Sequence, residues 1–373
     1  CPAEDRADPR ACTVSAARAA LVARYVRGKT PAFAAWLADF DAARPAILAA
    51  PTDDAYRLAL SRALDTLGDG HTGYTSPAGV KAQDELFRGV FPTPGAGILS
   101  ALMPEGLLVT SVLRGSPAEA TGLRRGDLIQ ATDAGPCHPR CAPALRSATR
   151  VAWARGGTRM EAAITPAPNR GYFPVSAARI GDVGVITIPH FLSPVLAREI
   201  DAALGALSRP SPPRALIIDL RSNPGGLVLM MRHLLSRLMP PGTYGRGVNR
   251  EGEATPFTVV DIPGGPNWAR EVPLAVMVDT RTRSAGELTA AILQKAGRAI
   301  VAGSATPGET ETVWAFDLAD GGRISVSISD YFRQGESLPL SATGVRPDLP
   351  LRGAWYVLPG DPWIERTARA LER

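Results

Sequence analysis

Three short stretches of the chain hold the residue types that hydrolysis uses. In "VMVDTRTRSAGELTAAIL", Ser284 stands where an apolar extended run stops and a helical pattern starts. A hydroxyl at such a junction has two uses. It can cap the helix, with Glu287 three residues on completing a capping box. It can also act as a nucleophile, because a helix N-terminus favours developing negative charge. In "DLRSNPGG" (Asp219–Gly226) an apolar run again feeds a turn and a helix. Its glycines, Gly225 and Gly226, leave backbone N–H groups uncovered, which suits an oxyanion hole, although the same letters also make an ordinary tight turn. In "DGHT" (Asp69–Thr72) a histidine, His71, lies among glycines. The chain has only four histidines, so the choice of a proton acceptor is narrow. His233 falls inside a helical pattern and reads as packed or solvated, and His138 lies between Cys137 and Cys141. His190 ends an extended run and is the second choice.

The elements that must position these groups follow from periodicity. From about Ala11 to Leu67 apolar residues recur three and four apart, in "VSAARAALVARYV", "AFAAWLADFDAA" and "AYRLALSRALDTL". "RGKTP" and "APTDD" divide this stretch into three or four helices, with Thr52 or Asp53 capping the last. From about Phe91 to Pro168 the pattern changes to short strands, with a short helix beginning near Ser116 and a closing strand in "RMEAAITPA". From about Ala178, near-continuous apolar strands alternate with helices: "VGVITIPHF", "LAREIDAALGAL", "ALIIDL", "LVLMMRHLLSRLM", "LAVMVD", the Ser284 helix and "AIVAG". That alternation predicts a mostly parallel sheet covered on both faces. Thr312–Phe332 predicts a hairpin about Asp320-Gly321-Gly322.

Composition bounds the class. A length of 373 residues predicts two or three domains, and 45% hydrophobic content suffices for a sizeable core. No apolar run is long enough to span a bilayer. The formal charge of +5 comes from scattered arginines without interleaved aromatics, which argues against a nucleic-acid partner. The four cysteines, Cys1, Cys12, Cys137 and Cys141, fit two disulfides better than a zinc site built with His138, because neither spacing is a standard zinc knuckle. Disulfides and an initial cysteine, as in a mature bacterial lipoprotein, point to an extracytoplasmic, periplasmic or secreted location, with membrane attachment only through a lipid on Cys1.

Taken in order, "LGDGHTGY", "GAGIL…GLLVTSVLRGSPAEATGLRRGDLIQATD", "ALIIDLRSNPGG", "VMVDTRTRSAGELTAAIL" and "GVRPD" resemble the carboxyl-terminal processing (tail-specific) serine proteases, including the branch related to the tricorn core. The resemblance implies an N-terminal helical domain (1–84), a β-rich PDZ-like peptide-binding domain (85–170), and an α/β serine-protease core (171–373) with a crotonase/ClpP-like, mostly parallel sheet. It implies Ser284 as nucleophile, with Gly225, Gly226 and the N–H of Ala285 as the oxyanion hole. His71 takes the place of the base used in the tricorn-like branch, and Glu287 matches the acid that follows the nucleophile. The loop Gly95, Ala96, Gly97 and Ile98 matches the PDZ loop that receives a free C-terminal carboxylate. Protein or peptide substrates recognised through a C-terminal tail follow as partners, with no metal and no cofactor.

The departures from the family pattern select the mechanism. The larger branch uses a Ser–Lys dyad, but Glu309 stands where that lysine would be, in "ATPGETE". Of the three lysines, Lys29, Lys81 and Lys295, the last lies too far along the Ser284 helix to reach back. The histidine version is therefore expected, with Asp69, Glu309 or Glu311 orienting His71. The acid often found just before the "GVRPD" stretch is replaced by Ser341. The competing expectation is a catalytically inactive PDZ-containing peptide- or ligand-binding protein of the bacterial envelope.

Overall fold

The computed structural model describes residues 1–137, 145–147, 149–356 and 360–372. His138 and Cys141 lie outside the described residues. The chain forms two compact units, each assembled from separated segments. The first comprises Cys1–Asp84, Tyr244–Phe257 and Glu309–Ala342; the second comprises Glu85–Thr243, Thr258–Gly308 and Thr343–Arg373.

The helical pattern at the N-terminus resolves into helices Pro9–Arg24, Pro31–Leu48 and Asp53–Asp65. Each starts on a side-chain cap, from Asp8, Thr30 and Thr52, and the first two carry proline at the first helical turn. Their apolar stripes meet through Val14, Leu21, Phe33, Trp36, Phe40, Tyr56, Leu60 and Leu64. The same core takes in Ile324 and Val326 from the Arg323–Arg333 strand. That strand is the centre of an antiparallel arrangement. It pairs with Gly73–Thr75, with Thr312–Asp317 and with Gly242–Asn249. The expected hairpin about Asp320 is thus present, and it completes the unit begun by the N-terminal helices.

In the second unit a six-stranded sheet runs in the order Ser176–Ile180, Val183–Thr187, Ala215–Asp219, Leu274–Val278, Ile300–Gly303, Leu349–Pro350. The first pair is antiparallel and the rest are parallel. Every residue of Ala215–Asp219 and Leu274–Val278 is buried, as expected for strands covered on both faces. The covering helices include Leu196–Leu207, Val228–Leu238, Ala285–Lys295 and Pro362–Leu371. A separate antiparallel sheet, Ile98–Met103, Gly106–Val112, Leu128–Thr132, Thr149–Arg155 and Thr158–Ile164, has its own core of Leu107, Val109, Leu123, Ile129, Val151, Trp153 and Ile164. Ser116 caps the short helix Pro117–Ala120, where the sequence predicts one. Among the described residues no helix is long and apolar enough to cross a membrane.

Candidate active site

Ser284 lies between the Leu274–Val278 strand and the Ala285–Lys295 helix. Its backbone is in the positive-φ half of conformational space, φ 52° and ψ −123°. A residue with a β-carbon is held there only when its surroundings enforce it, at a cost of about 1–3 kcal/mol. The enforcing contacts are explicit. The Glu287 carboxylate accepts from the Ser284 N–H (3.2 Å) and from the Gly308 N–H (2.7 Å), and the side chain is fully buried. Both oxygens are thus engaged by backbone. The capping box read from the sequence is present, and Glu287 fixes the turn.

The Asp219–Gly226 segment meets the serine turn directly. Gly225 has φ +89°, and an added β-carbon would lie 2.6 Å from the Ser284 β-carbon and 3.0 Å from the Ala285 nitrogen. Gly226, at φ +138°, has the Phe191 backbone within 2.5 Å of the same imaginary atom. Any side chain at either place would displace backbone. The N–H of Phe191 donates to the Gly225 carbonyl (2.8 Å) and that of Leu227 to the Phe191 carbonyl (2.9 Å). In such a parallel bridge the N–H of the intervening residue, Gly226, faces away from its partner strand. Ala285 is the first helical residue, so its N–H has no intrahelical acceptor. The N–H of Gly225, by contrast, donates to Asn223 Oδ1 (2.7 Å). Two backbone donors, Gly226 and Ala285, and not three, therefore flank the serine turn.

Sequence reasoning did not single out the residue that ties these loops together. Asn223 is fully buried. Its Nδ2 donates to the Ile188 carbonyl (2.8 Å), its Oδ1 accepts from Gly225, and its own carbonyl accepts from the Arg283 N–H (2.9 Å). Thr282 adds a second link, donating from Oγ1 to the Leu220 carbonyl (2.8 Å). Asp279 accepts from the Ser222 N–H and hydroxyl, both at 2.9 Å. The signal for Asn223 was present as an asparagine before the Pro-Gly-Gly turn, a position where side chains replace backbone partners.

The histidines separate cleanly. In the first unit, His71 Nδ1 lies 3.3 Å from Glu311 Oε2. Of the three acids considered for orienting His71, Glu311 makes this contact. Asp69 instead shapes the loop: its oxygens accept from the His71 N–H (2.9 Å), the Thr72 hydroxyl (3.0 Å) and the Ser327 hydroxyl (3.1 Å). Glu309 has its carboxylate 3.0–3.3 Å from the position of a β-carbon on Gly70. Burial disfavours the charged imidazole, but the hydrogen bond and charge of Glu311, helped by Asp69 and Glu309, outweigh it, so the His71 pKa is raised. Burial likewise opposes the Glu311 charge, yet His71 and Arg27 hold its pKa down at about 2. With Nδ1 turned to an ionised carboxylate, Nε2 carries the lone pair. One atom each of Asp69, His71 and Glu311 lie within 4.8 Å of one another, as metal ligands can. Here those carboxylates are already engaged by N–H, hydroxyl and guanidinium donors.

His190, the second choice, has Nδ1 accepting from the Leu192 N–H (3.1 Å), so its proton resides on Nε2. Burial lowers its pKa to about 4. Neither nitrogen is left as a base at neutral pH. His233 is buried on the Val228–Leu238 helix and lies 3.0 Å from Asp201 Oδ1, a packed role as the helical pattern predicts.

The Gly95–Ile98 loop is also locally defined. The carbonyls of Gly95, Ala96 and Gly97 accept from Asn169 Nδ2 (3.1 Å), the Ala118 N–H (2.9 Å) and the Leu113 N–H (2.9 Å). Across a trans peptide the N–H points opposite to the carbonyl, so the next three N–H groups are directed away from those donors. Gly97, at φ +79°, would place a β-carbon 2.2 Å from that of Ser116.

Comparison with known proteins agrees with this architecture. Residues 182–351 match the model of peptidase family S41. The carboxyl-terminal-processing protease of Synechocystis sp. is 30% identical over 274 residues, 68% of this chain and 61% of that protein. Carboxyl-terminal-processing peptidase 2, chloroplastic, of Arabidopsis thaliana is 27% identical over 322 residues, 79% of this chain and 60% of that protein. The chain thus spans about 60% of the length of these relatives. The photosystem II D1 C-terminal processing protease shares the mixed α/β fold, with a TM-score of 0.61 at 21% identity over 97% of each chain. By its 182–351 segment the chain belongs to peptidase family S41, and it is similar to relatives that are carboxyl-terminal-processing proteases.

Proposed function

We propose that this protein is a serine endopeptidase acting on extended or C-terminal segments of proteins. In this reading Ser284 Oγ attacks the scissile carbonyl while His71 Nε2 takes its proton. The N–H groups of Gly226 and Ala285 receive the oxyanion, and Gly225 supplies the clearance that a side chain would remove. The imidazolium formed is stabilised through Nδ1 by Glu311. His71 then returns the proton to the leaving amine, and water hydrolyses the acyl-enzyme by the same exchange in reverse. Glu287 positions the serine turn, since both its oxygens bind backbone. The observation that carries the reading is the enforced positive-φ backbone of Ser284 at a strand-to-helix turn, packed against a residue without a side chain, a geometry that exposes a nucleophile.

Three finer points belong to the same proposal. The core is a crotonase/ClpP-like sheet, and residues 85–170 act as a PDZ-like module distinct from the helical N-terminal domain. The outward N–H groups of Ala96, Gly97 and Ile98 bind a substrate's terminal carboxylate, and the peptide adds as a strand. The compartment is extracytoplasmic, on the Cys1–Cys12 disulfide and a further disulfide at Cys137. A lipid thioether on Cys1 requires the sulfur that Cys12 holds, so lipid and cross-link are alternatives at that residue. Intact mass before and after reduction distinguishes them.

The test is Ser284→Ala assayed on a folded domain carrying an unstructured apolar tail. Cleavage falls by at least about 10³-fold, as for other nucleophile removals, and fluorophosphonate labelling of the wild type disappears with it. Unchanged cleavage excludes the mechanism. Tail binding without labelling of the wild type identifies a peptide-holding protein instead.

A further inference from the structure

Arg27 lies in the loop between the first two helices, in a stretch, "RGKTP", that the sequence marks only as a break. Its Nη2 donates to Glu311 Oε1 (2.7 Å), to Asp330 Oδ1 (3.0 Å) and to Ser341 Oγ (3.2 Å). The Ser341 hydroxyl donates in turn to Asp330 Oδ1 (2.8 Å), and the Tyr25 hydroxyl oxygen accepts from Arg27 as well. The loop itself is pinned, because the Val26 N–H donates to the Ser327 carbonyl (2.8 Å) and the Thr30 hydroxyl donates to the Arg27 carbonyl (2.8 Å). One guanidinium therefore serves two largely buried carboxylates. Glu311 has one oxygen on Arg27 and the other on His71.

We infer that Arg27 is a positioning residue for His71: by fixing one oxygen of Glu311 it turns the other towards the imidazole and keeps that carboxylate charged. The inference rests on the proposed role of His71. Two carboxylates brought this close without a cation cannot both stay ionised in a partly buried site. Asp330 already shows the tension. Burial raises its pKa, against the lowering by Ser341 and Arg27, while that of Glu311 is held down at about 2. The charged and titratable groups facing His71 are Asp69, Glu309 and Glu311. Those facing Arg27 are Glu311, Asp330 and Tyr25. Ser341 carries no charge, so two carboxylates and not three meet the one cation.

The sign is set by Glu311. Without the cation, Glu311 and Asp330 share a proton and the Glu311 oxygen is no longer held on the imidazole, so the anion that raises the His71 pKa is weakened. In Arg27→Gln the His71 titration, followed by NMR on ring-labelled protein and assigned with His71→Asn, moves to lower pH. In Arg27→Lys the charge is kept and the fixed planar placement of the Nη2 donor is lost. Its midpoint stays near that of the wild type, and this variant keeps the inference testable if Arg27→Gln does not fold. The rate of Ser284 inactivation by a fluorophosphonate at neutral pH falls on the order of tenfold in Arg27→Gln and less in Arg27→Lys. A folded Arg27→Gln with an unmoved midpoint and an unchanged inactivation rate overturns the inference. If the midpoint moves while the wild type does not react with the probe, the peptidase reading fails and the hold of Arg27 on His71 stands.

Discussion

At the scale of single residues, the His71–Glu311 pair sets the pH behaviour expected of the site. In the proposed role His71 must be neutral to accept a proton, and its raised pKa would place the acid limb of kcat/KM above the ordinary histidine value of about 6.5. Glu311→Gln removes the charge that raises it, so the limb moves to lower pH while the plateau drops by about 10–100-fold. A pH–rate profile of both proteins checks the two effects separately. The same pair gives a stability prediction. Glu311 has a folded pKa of about 2 against an ordinary value of 4.5, so its stabilising contribution is present above pH 4.5 and disappears as the pH falls towards 2. Urea melts of wild type and Glu311→Gln should therefore differ at pH 7 and converge near pH 2. His71 titrates in the opposite sense. Its raised pKa adds stability that is complete below the unfolded value and is lost as pH rises through the folded one.

At the scale of elements, the site depends on three loops held by one buried amide. Asn223→Ala strips the Ile188 carbonyl and the Gly225 N–H of their partners, which costs about 2–4 kcal/mol by thermal or urea unfolding. Asn223→Asp is not conservative, because an ionised carboxylate cannot donate to Ile188. Much at this scale was legible in the sequence. The alternation of buried strands with helices announced the parallel sheet, and Ser284, Gly225 and Gly226 stood at strand ends, where such sheets place ligands. His71 was singled out because so few histidines were available. Asn223 and Arg27 were missed for a different reason. Neither side chain has a periodicity, and each acts through partners distant in the chain, such as Ile188 or Glu311. The engagement of the Gly225 N–H by Asn223 could likewise not be read from letters that only say "turn".

At the scale of the molecule, the first unit is stitched from three stretches of chain. Local pattern marked its helices and its hairpin correctly, but not that they share a core, because strand pairing over such separations has no local code. The unit is further tied by the Cys1–Cys12 disulfide, which closes a loop of sequence separation 11. A Cys12→Ser variant should lose about 2–3 kcal/mol in the loop-closure view, seen as a lower first transition in calorimetry under oxidising conditions. The second unit, which lacks that link, should melt as before.

The stitching has a bearing on how the protein is made. A nascent chain that has exposed its histidine must still gain 240 residues before the matching glutamate leaves the ribosome. The strand that completes the first core arrives with it, so the N-terminal helices wait, half-built, while that intervening chain is made. If His71 is the base, the biosynthetic machinery meets an inert precursor over that interval, and competence to cut arises only once the glutamate and its neighbouring strand have folded into place.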